Sequence, residues 1–335
     1  MLEWLSERLL TVLQLTRMAL VFTAISNSLC AFLLANRGAI ASRDMALWMH
    51  WPALAAIALM SLGLYGFGMS LNDIIDHRRD RQLAAHRPLP SGRIQLGTAH
   101  GICMALGLLA LAAGAYYAWL APAGWRSFVL LAWTGFLIVF YDFAGKYLVA
   151  TGLLTLGLIR FFHAVIPAPQ LPVLWHPLLL FTHVTLVSAV AYAWEQKRPA
   201  LTRLHRSGVA AGVIGIDAVA IAAVWYRAGT APHGPLAPRP ELLLLAALAA
   251  AYIFAAWLIW RRADSARQAG QRLMLCGLLW LIAYDAAFAG VYVGWKYGLA
   301  LFLLLPVSYL LVLAMRWWAR LILISKEPAF RRLER

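Results

Sequence analysis

Leu71-Asn72-Asp73-Ile74-Ile75-Asp76-His77-Arg78-Arg79-Asp80-Arg81-Gln82-Leu83-Ala84-Ala85-His86-Arg87-Pro88-Leu89-Pro90-Ser91-Gly92-Arg93 follows directly on a long apolar run that ends near Ser70. Asn72, Asp73, Asp76 and Asp80 recur at helical spacing, so a helix continuing out of the apolar run presents them as one stripe. Three carboxylates and an amide are oxygen ligands of the kind Mg²⁺ accepts, and Mg²⁺ held this way keeps waters and shares its remaining positions with a substrate phosphate. Arg81, Arg87 and Arg93 follow closely, and guanidinium groups suit phosphate oxygens. The competing reading is a solvated loop beside a membrane, where arginines are common. Four ligand-type residues in register at a membrane surface favour a site.

The rest of the 335-residue chain supplies that membrane: 63% of it is apolar and only 13% charged. The expected fold class is all-α, a polytopic transmembrane helical bundle. Apolar stretches long enough to cross about 30 Å of hydrocarbon at about 1.5 Å per residue lie at 17–36, 48–71, 97–119, 127–143, 148–167, 174–195, 208–226, 241–260, 272–292 and 297–318, about ten spans. Residues 1–16 have an apolar side that suits a position along the interface. Glu3 and Glu7 replace the basic start of a removable signal peptide, so the first span is expected to direct insertion itself. Cys30, Cys103 and Cys276 all fall within apolar runs, which indicates neither a disulfide framework nor a zinc cluster.

The net charge of +15 is explained by topology. With the amino terminus inside, only Arg37, Arg43, Arg126, Arg227, Arg239 and Lys296 of the 29 lysines and arginines fall in outward loops, and Arg160 lies within a span. This asymmetry places the acidic stripe and both termini on the cytoplasmic side, and removes nucleic acid as the default partner.

Other polar points are compatible with two roles each. Lys146, in Tyr141-Asp142-Phe143-Ala144-Gly145-Lys146-Tyr147, can meet a metal-borne phosphate or simply snorkel to the interface. Arg160, His163, His183, Asp217 and Asp285 lie within spans, where charge faces the bundle interior and has a partner. Arg160 paired with Asp217 or Asp285 would serve either as a helix lock or as part of a site. The segment Tyr192 to Ser207 holds Lys197 and Arg198, with Glu195 its one carboxylate. It either binds a diphosphate by charge or is a basic cytoplasmic loop.

Asn72-Asp73-x-x-Asp76-x-x-x-Asp80, followed by Arg87-Pro88-Leu89-Pro90-Ser91-Gly92, resembles the signature of the UbiA superfamily of intramembrane prenyltransferases. Tyr141 and Lys146, with the small-residue helix through Gly152 and Gly157, add to the likeness, which spans about residues 15–292. It implies a UbiA-like bundle around a central cavity open to the cytoplasm, with Mg²⁺ and an isoprenyl diphosphate at its mouth. By position, Asn72, Asp76 and Asp80 would hold metal and diphosphate, Asp73 would support them, and Arg87 and Lys146 would meet phosphate oxygens, with Asp76, Asp80 and Lys146 carrying the chemistry. The resemblance departs after the sixth span. Tyr192 and Ser207 keep the family spacing, but the two expected aspartates are Gln196 and Ala200. Glu195 is then a substitute metal ligand, and Lys197 and Arg198 substitute cations toward substrate, together with Arg160. A tenth span is the second departure.

The expected organisation is an interfacial segment 1–16, a UbiA-like prenyltransferase domain 17–292, and an additional helix with a basic tail at 293–335. The expected function is Mg²⁺-dependent transfer of an isoprenyl group from its diphosphate to a lipophilic or aromatic acceptor, as in isoprenoid biosynthesis at a bacterial inner (plasma) membrane. Two alternatives stand beside it. One is phosphoribosyl transfer to a polyprenyl phosphate; the other is a non-catalytic protein that binds or transports isoprenoid lipid.

Overall fold

The computed structural model describes residues 2–42, 50–85, 87–121, 124–228 and 242–326. Arg43, Arg239 and the basic tail beyond Lys326 lie outside the described residues. The described chain is helical and has no strand. The elements are α1 (Leu2–Leu15), a 3₁₀ turn (Met18–Leu20), α2 (Val21–Ala35), α3 (Arg37–Ala41), α4 (Trp51–Ile75), α5 (His77–Leu83), α6 (Leu96–Leu120), α7 (Gly124–Phe143), a second 3₁₀ turn (Gly145–Tyr147), α8 (Val149–Val165), α9 (Trp175–Trp194), α10 (Arg203–Ala228), α11 (Leu242–Arg262), α12 (Ala266–Tyr292), α13 (Trp295–Phe302) and α14 (Leu304–Lys326).

Nine segments among the described residues are long and apolar enough to cross a membrane, and the shorter α8, with 17 residues, fills the fifth expected position. The tenth expected span is interrupted at Leu303, between α13 and α14. Pro306 explains the break: it has no N–H to donate to the carbonyl of Phe302, and its ring crowds that carbonyl.

Neighbour contacts run α2–α4–α6–α7–α8–α9–α12 and return to α2, closing a ring. α10 packs outside on α8 and α9, and α11 outside on α12. α14 returns to α2 and to the 3₁₀ turn before it, where Ser308 Oγ donates to the carbonyl of Ala19 over 2.7 Å. In lipid the apolar faces have no water to escape, so close backbone approach takes over as the packing force. At Gly63 on α4 a β-carbon would lie 2.7 Å from the Leu106 carbonyl oxygen and from the Ala110 nitrogen of α6. At Gly157 on α8 it would lie 2.1 Å from Thr185 Oγ1 of α9. Glycine at these two positions allows the helices to close the ring.

Candidate active site

The acidic stripe forms where α4 runs into α5. Asp76 sits at the junction with near-helical dihedrals, and the ladder continues through it: Asp76 N–H donates to the Asn72 carbonyl at 2.9 Å and Asp80 N–H to the Asp76 carbonyl at 2.8 Å. The stripe is therefore continuous, as the spacing requires. Asp73, Asp76 and Asp80 are only 4%, 4% and 3% exposed. Carboxylates buried this deeply need charged partners, and the fold supplies them from two directions.

On one side, the Arg87-to-Gly92 segment folds back. Leu89 is 4% exposed and packs with Leu15, Ile94 and Ala99. Gly92 turns the chain at φ +72°, a conformation open to glycine, ahead of α6. Anchored in this way, Arg87 Nη1 pairs with Asp80 Oδ2 and lies 3.6 Å from Asp73 Oδ1. Arg17, held in the left-handed region at φ 49° just after α1, reaches Asp73 Oδ1 at 3.2 Å. Arg93 Nη1 donates to Gln14 Oε1 at 2.7 Å. Gln14, Arg17, Asp73, Arg87, Pro88 and Arg93 enclose a cavity of about 210 Å³.

On the other side, the end of α7 and the following 3₁₀ turn bring in Asp142 and Lys146. Lys146 Nζ donates to Asp76 Oδ1 at 2.8 Å and lies 3.6 Å from Asp142 Oδ1. Asn72 Nδ2 donates to the same Asp142 oxygen at 2.7 Å. Arg79 pairs with Asp76 Oδ2 at 2.7 Å. Asn72, Asp73, Asp76, Asp80, Arg87 and Lys146 are thus one assembly. Sequence reasoning assigned no role to Asp142, Arg17 or Arg79. For Asp142 a signal existed, since it precedes Lys146 by four residues in the Tyr141–Tyr147 stretch.

The donor set fits Mg²⁺. Its oxygens are carboxylate and amide, from Asn72, Asp76 and Asp80, with no sulfur or imidazole among them, and Asp142 holds the Asn72 amide. The Lys146 ammonium already lies between Asp76 and Asp142, so positive charge is stabilised between these two carboxylates.

Of the substitutes expected for the second acidic cluster, two pair with each other. Glu195 Oε2 pairs with Lys197 Nζ at 3.2 Å, its Cγ lying where a β-carbon on Gly270 would come within 2.6 Å. Lys197 and Arg198 are exposed. Their described contacts do not join them to the stripe.

The intramembrane charges pair differently from expectation. Asp285 is satisfied by Asn27, whose Nδ2 donates to Oδ2 at 2.7 Å, and by His176, whose Nε2 is 2.8 Å from Oδ1. Asp217 accepts from Thr182 Oγ1 at 3.1 Å. Arg160 instead donates to Asn27 Oδ1 at 3.4 Å and Thr23 Oγ1 at 3.3 Å, so it pairs with neither aspartate. His176 is fully buried and close enough to Asp285 to take the place that spacing along α8 could not predict for Arg160. His163 is buried with no hydrogen-bond partner on either ring nitrogen among the described residues, and His183 Nε2 lies 3.0 Å from the Gly277 carbonyl.

The fold and the site define an all-helical integral membrane protein with a carboxylate-and-cation cluster at one end of its bundle. The UbiA prenyltransferase family model matches residues 24–282, and the chain belongs to that family. No curated protein matches it. Among solved structures, the chain resembles one described under the biosynthesis of digeranylgeranylglyceryl phosphate synthase in membranes, at 16% identity and TM-score 0.55, over 84% of this chain and 99% of that one. It also resembles a UbiA homologue from Archaeoglobus fulgidus bound to GPP and Mg²⁺, at 14% identity and TM-score 0.54, over 87% and 99% of the two chains. The same comparison with that organism's homologue bound to DMAPP and Mg²⁺ gives 15% identity and TM-score 0.51, with the same coverage. At these identities the likeness is one of fold. The expectation of Mg²⁺ and an isoprenyl diphosphate agrees with what the Archaeoglobus homologue binds.

Proposed function

We propose that the chain transfers an isoprenyl group from an isoprenyl diphosphate to an electron-rich, typically aromatic acceptor inside the membrane, with Mg²⁺ at the α4–α5 stripe. The observation that carries this reading is the convergence of Asp73, Asp76, Asp80 and Asp142 with Arg17, Arg87 and Lys146 at one end of the bundle. Asn72, Asp76 and Asp80 would hold the metal, with Asp142 orienting the Asn72 amide. Mg²⁺, when bound, supplies neutralisation of diphosphate charge. Arg87 and Lys146 turn from their carboxylate partners toward diphosphate oxygens. They stabilise the charge that collects there when the allylic C–O bond breaks and its electron pair leaves with the diphosphate. The acceptor carbon then bonds to the allylic carbon and the acceptor releases its proton to water. Lys197 and Arg198 would supply positive charge toward the diphosphate in place of a second acidic cluster, with Glu195 as a further oxygen donor. The distribution of lysine and arginine supports a cytoplasmic position for this end.

The test is release of diphosphate by purified protein given Mg²⁺, geranylgeranyl or longer diphosphates, and candidate acceptors. Full turnover by Asp76→Ala would sink the assignment of this site. Phosphoribosyl diphosphate consumed in place of isoprenyl diphosphate would favour phosphoribosyl transfer, and lipid binding without diphosphate release would favour a non-catalytic role.

A further inference from the structure

α13 and α14 lie beyond residues 24–282, the stretch the family model matches, and Arg17 lies before it. The two helices nevertheless dock closely on the bundle. At Gly298 on α13 a β-carbon would lie 2.6 Å from the Ala286 carbonyl oxygen and 3.0 Å from the Gly290 nitrogen, so α13 lies backbone against backbone on α12. After the break at Leu303, α14 crosses to α2, to the 3₁₀ turn at Met18–Leu20 and to α1. Over residues 304–321 its buried positions are Ser308 and Val312, four apart, so α14 meets the bundle along one narrow stripe. Ser308 is fully buried between exposed Val307 and Tyr309. A hydroxyl on a helix can close on the carbonyl four residues back, and those of Ser70, Thr134 and Thr155 do so, on Gly66, Leu130 and Thr151. The Ser308 hydroxyl instead crosses to the Ala19 carbonyl at 2.7 Å.

That bond lands on the turn that carries Arg17. Arg17 has φ 49° and ψ 38°, a left-handed conformation disfavoured for a residue with a β-carbon and kept only where neighbours over-determine it. Three contacts hold the turn here. Met18 Cε lies where a β-carbon on Gly66 of α4 would come within 2.9 Å, the Leu20 carbonyl accepts from Thr23 Oγ1 at 2.8 Å, and the Ala19 carbonyl accepts from Ser308. Held in this way, Arg17 reaches Asp73 at 3.2 Å and lines, with Arg87 and Arg93, the cavity beside the acidic stripe. We infer that Ser308 is a positioning residue. Through the Ala19 carbonyl it fixes the turn that aims Arg17 at Asp73 and the cavity, so α14 governs how tightly this end takes a diphosphate. The ligand in this inference rests on the prenyl-transfer reading, whereas the link from Ser308 to Arg17 stands on the geometry alone.

The test uses the full chain in nanodiscs, with Mg²⁺ and inorganic pyrophosphate as the probe and thermal unfolding as a second readout. Ser308→Ala is expected to weaken pyrophosphate affinity about fivefold, the size of one neutral hydrogen bond. In an Arg17→Gln background the same change is expected to move it by less than about twofold, because the group it aims has gone. Val312→Ala, one turn along the same stripe, is expected to lower the unfolding temperature and leave the affinity of the wild type. The unfolding shifts of Ser308→Ala and Arg17→Gln are expected to fall short of adding in the double variant. Unchanged affinity in Ser308→Ala, an equal loss in Val312→Ala, a fivefold loss that persists without Arg17, or fully additive unfolding shifts would each overturn the inference. If Ser308→Ala does not fold, Ser308→Cys, which keeps the size and only a weak donor, takes its place with the same outcomes. A wild type that does not respond to pyrophosphate counts against the prenyl-transfer reading, and the unfolding cycle then decides the Ser308–Arg17 link by itself.

Discussion

Lys146 Nζ donates to Asp76 Oδ1 across 2.8 Å, joining the turn after α7 to the α4–α5 junction through residues 70 positions apart in the chain. Both side chains are nearly buried, at 7% and 5% exposure, so the pair is largely shielded from water. Removing its cation leaves Asp76 facing Asp142 with less compensation. Lys146→Met is therefore expected to lower stability by roughly 3–5 kcal/mol, as for other broken buried pairs. Millimolar Mg²⁺ should recover more of the loss in this variant than it adds to the wild type. Thermal unfolding with and without Mg²⁺ checks both parts, and a variant as stable as the wild type would contradict them.

Asp142 acts on the stripe from α7 by accepting from Asn72 Nδ2 at 2.7 Å. Asp142→Ala frees that amide and removes one carboxylate from Lys146. Groups that orient a metal ligand typically govern affinity by about 10–100-fold. Half-saturation by Mg²⁺ in the diphosphate-release assay should rise by about tenfold or more, and a Mg²⁺ curve that does not move would remove Asp142 from the site.

Leu89 holds the segment that returns Arg87 to Asp80 and Asp73. Truncating a buried leucine costs about 2–5 kcal/mol, so Leu89→Ala should unfold at lower temperature. It should also bind pyrophosphate more weakly although no ligand has been altered. Loss of stability with pyrophosphate affinity intact would mean that Arg87 does not depend on this anchor.

Gly63 offers a test of the ring itself. A side chain there meets α6 backbone at 2.7 Å, whereas one at Gly135 meets nothing within 4 Å. Gly63→Leu should abolish the folded, monodisperse protein in detergent, while Gly135→Leu should purify like the wild type. Equal yields of the two would show that α4 and α6 need not approach so closely.

Much of this site was legible in the sequence because its core is local. Asn72, Asp73, Asp76 and Asp80 lie within one continuous helical ladder, so helix periodicity alone places them together. The spans were legible for a similar reason: in lipid the backbone must satisfy its own hydrogen bonds, and long apolar runs become helices. Arg17 was not legible as a partner of Asp73, because 56 residues and a left-handed turn separate them. Arg160 invited pairing with Asp217 or Asp285, since a lone charge in a span asks for an opposite one, but sequence carries no information on whether that carboxylate is already taken.

By itself, then, the sequence determined the spanning stretches, the acidic stripe and the absence of aspartate at Gln196 and Ala200, all of which depend on residue type and short-range spacing. The tertiary structure decided which charges neutralise which. Lys146 between Asp76 and Asp142, Arg87 on Asp80, and Asp285 claimed by His176 and Asn27 depend on how the ring of helices closes. Ring closure in turn rests on backbone contacts such as that of Gly63 with α6, between residues distant in sequence, which local periodicity does not encode.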